Sequence, residues 1–177
     1  MNSIKTIVWL FPVIFMLHDF EEIFFIEAWR KRYANQLQLA ISKKKKVPYA
    51  DIKDTPSFSI AVAIEFLIIS LLSLFSCIFD GYLLWFGLFF GFTIHLIIHC
   101  VLSIQFRHFV PGVATSLPFL PVCIYLLYYS TRFFTFTGIE LILYCLIGIV
   151  SVLLILLVLH KSMGTFEKWI RRFEKQS

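Results

Sequence analysis

Residues 57–79 read SFSIAVAIEFLIISLLSLFSCIF and carry a single charge, Glu65. As a helix rising about 1.5 Å per residue, this run covers the roughly 30 Å hydrocarbon core of a bilayer. Three more runs of the same kind lie at 81–105, 112–130 and 138–160. A fifth, 4–26, begins IKTIVWLFPVIFML, meets HDFEE and resumes as IFFIEAW. Lys5 is the only charge ahead of its apolar core and no small-residue cleavage site follows, so it is expected to be a first helix and not a signal peptide. The whole chain agrees. Of 177 residues, 59% are hydrophobic and 15% charged, where soluble domains run at about 25% charged. Disorder, a collagen and a secreted disulfide scaffold are excluded. Cys77, Cys100, Cys123 and Cys145 each sit inside an apolar run without a CxxC, so they read as small hydrophobes.

The expected fold is all-α: one polytopic bundle over 1–160 with five membrane helices. A polar loop, 27–56, separates the first two, and Pro48 and Pro56 are expected to stop any surface helix in it. Asp80-Gly81 predicts a tight turn between the second and third helices, and Pro111, Pro118 and Pro121 are expected to interrupt the fourth. In the tail, 161–177, Phe166, Trp169, Ile170 and Phe173 recur at helical spacing among lysines and arginines, which predicts an amphipathic interfacial helix. Trp9, Trp29, Trp85, Tyr82, Tyr128 and Tyr129 read as interface anchors. With loop and tail in the cytoplasm, the cytoplasmic side holds all but Lys5 and Arg132 of the 16 lysines and arginines. This positive-inside bias predicts the N-terminus outside and the C-terminus inside a bacterial inner or plasma membrane. The net charge of +5 is read as topology and attraction of Lys43 to Lys46 for anionic headgroups, not as nucleic-acid binding.

Ionisable groups cost about 2.5–3.5 kcal/mol each in a membrane helix and are functional by default. Here they are His18, Asp19, Glu21 and Glu22 in the first helix, Glu65 in the second, and His95 and His99 in the third. At 100° per residue His18, Glu21 and Glu22 share one stripe, with Asp19 turned away toward the cytoplasmic rim, and His95 and His99 share another. Depth also agrees. His18 and His95 lie about 21 Å from the outer face, Glu22 and His99 about 27 Å, and Glu65 about 18 Å. Three imidazoles and three carboxylates at one level suit zinc, iron or manganese. The expected ligands are His18, Glu22, Glu65, His95 and His99, with Glu21 and Glu22 as catalytic carboxylates. The plainer alternative is a hydrogen-bonded polar cluster that holds helices together.

The stretch His18-Asp19-Phe20-Glu21-Glu22 resembles the defining motif of the HXXEE-domain membrane proteins, a bacterial family. Residues 95–121, HLIIHCVLSIQFRHFVPGVATSLPFLP, are similar to that family's second block: histidines, an arginine near a helix end, then Pro-Gly and a proline-bearing helix. The resemblance implies a small multi-span membrane protein in which His18, Glu21 and Glu22 matter. It implies no activity.

The residues themselves favour a metal-dependent enzyme of hydrolytic type acting on a lipid or isoprenoid substrate. Two alternatives stand beside it. One is a small proton-coupled transporter. The other is an accessory membrane subunit whose cluster is structural and tolerates amide replacement of its carboxylates.

Overall fold

The computed structural model describes residues 3–43, 49, 52 and 54–174, and among these every regular element is helical. The helices are α1 (Ser3–Arg32), α2 (Ala34–Ser42), α3 (Thr55–Phe79), α4 (Leu83–Phe106), α5 (Val113–Ser130) and α6 (Gly138–Glu174). Lys44 to Lys46, Pro48, Asp51, Lys53 and the last three residues lie outside the described residues.

Four helical stretches among the described residues are long and apolar enough to cross a membrane: Thr55–Phe79, Leu83–Phe106, Val113–Phe133 and Gly138–Phe173. Their outward faces are apolar, with Ile104, Leu117 and Ile139 strongly exposed. Such a continuous greasy exterior belongs in lipid, not water. Helix α1 is as long, at 30 residues, but is not among the four. It carries Lys5, His18, Asp19, Glu21 and Glu22, of which the last four are buried, while Val13, Leu17 and Phe24 leave one face exposed.

The chain termini of these helices show how they align. Lys5 Nζ donates to the Cys77 carbonyl at 2.9 Å and sits 3.5 Å from Asp80, so the start of α1 meets the end of α3. At the other end, the Thr55 hydroxyl donates to Glu27 at 3.4 Å and Arg30 donates to the Ile52 carbonyl. Helices α1 and α3 are therefore antiparallel along their whole length. The Asp54 side chain caps α3 by accepting from the Ser57 N–H at 2.7 Å. Pro56 sits in the first turn of that helix, where a missing N–H costs nothing, so it opens α3 and does not block it. Asp80, at φ 51°, ends α3 in the left-handed conformation and turns the chain into α4.

Helix α4 runs beside α1. The Trp85 indole donates to the Val8 carbonyl at 3.3 Å near one end, and Trp29 donates to the Phe109 carbonyl near the other. Both tryptophans are buried, at 0% and 3% exposure, which corrects their expected place as interface anchors. Each has found a carbonyl for its indole N–H inside the bundle, so neither needs the headgroup region.

Helices α4 and α6 meet through glycine. Gly87 and Gly91 form a Gly-x-x-x-Gly face against Gly148, and a Cβ on Gly148 would overlap the Gly87 carbonyl. With no hydrophobic force between helices in lipid, such close backbone contact supplies the packing. Two sequence expectations change here. Pro118 and Pro121 lie inside a continuous α5 and do not interrupt it; membrane helices tolerate such prolines because neighbours re-satisfy the freed groups. The tail is not a separate helix either, because α6 continues unbroken to Glu174. Gly164 is the weakest point in that stretch, and one mid-helix glycine costs only about 1 kcal/mol.

Candidate metal centre

Parallel alignment of α1 and α4 brings the two ionisable stripes face to face. One ligand atom from each of His18, Glu22, His95 and His99 lies within 4.8 Å of the other three. Glu22 Oε1 is 2.9 Å from His99 Nε2 and 3.8 Å from His18 Nε2, and the Nε2 atoms of His95 and His99 are 2.9 Å apart. Four donors around a tetrahedral ion at 2.0–2.1 Å would stand about 3.4 Å apart, so small side-chain shifts separate this cluster from a coordination shell. Three of the four are buried: His18, Glu22 and His99 are at most 5% exposed.

The histidine tautomers follow from what each Nδ1 touches. His99 Nδ1 lies 3.0 Å from the Pro111 carbonyl, which can only accept, so Nδ1 carries the proton. In the neutral ring its Nε2 then turns a lone pair toward Glu22, and in the imidazolium it donates to Glu22 Oε1 at 2.9 Å. For His18 the chain is longer. Thr115 Oγ1 donates to Glu21 Oε2 at 2.6 Å, which leaves its oxygen to accept from His18 Nδ1 at 2.9 Å. His18 Nε2 is then a bare lone pair. It is buried and has no hydrogen-bond partner among the described residues. Lone pairs converging on a carboxylate repel, and only a cation or a proton between them removes the conflict.

Glu21 is placed differently from Glu22. Its Oε1 accepts from the N–H groups of Gly112 and Ala114, both at 3.1 Å, and its Oε2 accepts from Thr115 N at 2.7 Å and from the Thr115 hydroxyl. The carboxylate thus sits on the N-terminus of α5, where orphan N–H groups and the helix dipole favour an anion. Gly112 makes this approach possible. It has φ +88°, and a Cβ there would lie 2.8 Å from Glu22 Oε1 and 2.5 Å from His99 Nδ1.

Beside the cluster opens a cavity of about 310 Å³ between α1, α3, α4 and α6. Glu22, His95 and His99 form part of its wall, while His18 stands behind them. Glu65 also lines the cavity but is not in the four-residue group. Asp19 does not point to the rim as its angle suggests. It is 4% exposed, lines the same cavity, and its Oδ2 has no partner among the described residues. The 100° offset carries Asp19 to the cavity and not to the free side of α1, which Leu17, Phe20 and Phe24 occupy.

Four contributors escape the sequence reading: Tyr49, Gly112, Thr115 and His160. His160 lines the cavity from α6. Tyr49 comes from the basic loop, yet its hydroxyl is 2.8 Å from the Pro111 carbonyl, 3.1 Å from Glu22 Oε1 and 3.3 Å from His99 Nδ1. Burial first, then the Glu22 carboxylate, pushes its phenol well above the usual tyrosine range, so it serves as a neutral donor. It holds φ 58°, a conformation that costs a non-glycine residue of order 1–3 kcal/mol and clusters at functional sites.

A family model described as a protein of unknown function with HXXEE motif matches residues 9–126. That span contains all four members of the cluster together with Tyr49, Glu65, Gly112 and Thr115, and stops short of α6. No curated protein and no solved structure matches the chain.

Proposed function

The chain belongs to the HXXEE family, whose function is unknown, and from the site's own geometry we propose that it is a metal-dependent membrane enzyme of hydrolytic type, acting on a lipid or isoprenoid substrate. One observation carries the reading. The Nε2 lone pair of His18 is buried, with no hydrogen-bond partner among the described residues, beside a carboxylate and two further imidazoles. Three imidazole nitrogens and one carboxylate oxygen fit zinc, and also iron or manganese.

In this reading His18, His95, His99 and Glu22 are the ligands. Such an ion, when bound, supplies Lewis-acid polarisation of an ester or phosphoester oxygen and an acidified water. The residues do the rest. His18 backs the site, while Glu22, His95 and His99 leave the cavity side open for substrate. Tyr49 donates to Glu22 and orients it. Glu21, with both oxygens occupied, is a positioning residue and not a base. Glu65 and Asp19, on the cavity wall outside the ligand group, are the carboxylates left to accept a proton.

Thr115 tests the arrangement, because it fixes His18 without touching the ion. Partners that orient a metal-bound histidine are worth roughly 10–100-fold in affinity. Thr115→Val should weaken cobalt or zinc binding to the detergent-purified protein by that factor, and Thr115→Ser should restore it. Equal affinity in wild type and Thr115→Val would remove the tautomer argument.

The membrane arrangement completes the proposal. If α3 crosses the bilayer, α1 crosses with it, since their ends meet at both faces. Five spans then put the N-terminus outside and the basic loop and tail in the cytoplasm of a cell membrane, with Lys43 and its neighbours among anionic headgroups. In a cysteine-free background, single cysteines at Lys43 and Lys168 should react with an impermeant reagent only after the cells are opened. Reaction of either in intact cells contradicts this topology.

A further inference from the structure

The cavity is far larger than an ion requires, and away from the cluster its wall is hydrocarbon. Phe15, Phe92 and Leu159 line it from three different helices. On the side between α3 and α6 the wall is one side chain thick. Ile68, Leu153 and Leu157 line the cavity and are also 37%, 47% and 57% exposed on the outer surface. That outer surface is the apolar one. Inside and outside of this wall are therefore equivalent solvents for a hydrocarbon chain, and entry between α3 and α6 demands no dehydration.

Volume limits what enters. At about 30 Å³ per water-sized group, 310 Å³ holds on the order of ten heavy atoms. A two-chain lipid is several times too large. One chain segment fits, with its remainder in the bilayer. Because lipid tails are as apolar as leucine, the chain gains little by moving from bilayer to cavity. Retention must come from the polar part of the wall, which Asp19 shares with Glu22, His95 and His99 and where its buried Oδ2 has no hydrogen-bond partner among the described residues.

We propose that the cavity is a binding site for a single hydrocarbon chain ending in an oxygen function, entered laterally between α3 and α6, with the oxygen at the Asp19 end. This deepens the enzymatic reading by naming its substrate class, but the chain site itself does not require the ion. The two can therefore fail separately.

The experiment is photo-crosslinking of the full chain in mild detergent with a diazirine-bearing long-chain alcohol, compared with a diazirine phosphatidylcholine, each with zinc and after chelation. The alcohol should label peptides of α3 and α6 around Ile68 and Leu153, and excess unlabelled tetradecanol should suppress that labelling at least tenfold. The phosphatidylcholine should label the outer surface without such competition. Val62→Phe on α3 and Leu159→Phe on α6 fill the cavity from opposite walls. Either should cut the competed labelling at least tenfold, and the competition itself decides if one variant fails to fold. Competed labelling in protein that binds no zinc would sink the metal reading and leave this one standing. Labelling that tetradecanol does not suppress, or that both phenylalanine variants leave unchanged, overturns the chain site.

Discussion

Glu22→Gln is expected to lose the ion while the bundle persists. Glutamine keeps the size of the side chain and an oxygen for the Tyr49 hydroxyl at 3.1 Å. It removes the one negative charge that the four-residue cluster contributes. An outer partner of a ligand is worth roughly 10–100-fold, so a charged ligand should be worth more, and affinity should fall by over about 100-fold. The loss has a thermodynamic signature. A ligand at 100 times its dissociation constant stabilises the folded state by about 2.7 kcal/mol, so zinc should raise the melting temperature of wild type and not of the variant. A cluster that serves only as glue predicts no such difference, because the amide satisfies the same hydrogen bonds.

Gly112→Ala should be equally damaging by a different route. The left-handed φ of +88° costs an L-residue about 1–2 kcal/mol. The new methyl would also lie 2.5 Å from His99 Nδ1 and 2.8 Å from Glu22 Oε1, so two proposed ligands must move. Overpacking of that kind adds typically 1–3 kcal/mol. The expected result is a protein destabilised by about 2–5 kcal/mol in a denaturant titration, with metal affinity lost as well. Gly81→Ala is the control, since nothing lies within 4 Å of its added carbon. Full metal binding by Gly112→Ala would mean that the approach of α5 to the cluster has no functional weight.

What the sequence revealed and what it hid follow one physical rule. Lipid penalises charge, so four apolar helices stand out in composition alone, as do the expensive groups on α1, α3 and α4. His18, Glu22, His95 and His99 do meet, because the stripes on α1 and α4 face each other at one depth. Long-range contacts leave no such mark. Glu21 looks equivalent to Glu22 until the N-terminus of α5 arrives from about ninety residues away and occupies both its oxygens. Tyr49 sits in a lysine-rich loop whose composition says surface, and only the fold carries its hydroxyl to Glu22. Glu65 is expected at the depth of the cluster, but depth does not fix azimuth, and it lines the cavity without joining the four. Gly87 and Gly91 are the missed signal that the sequence did hold, a Gly-x-x-x-Gly spacing in an apolar helix.

The central claim is that His18, Glu22, His95 and His99 hold a transition metal. Elemental analysis of the full chain, purified in mild detergent without chelator, tests it most directly. The account predicts about one equivalent of zinc, iron or manganese per chain in wild type and a small fraction of that in Glu22→Gln, the stoichiometry that one ligand set of four residues allows. A wild-type protein that carries no transition metal as purified, and takes up none when titrated with zinc, iron(II) or manganese(II), would contradict it.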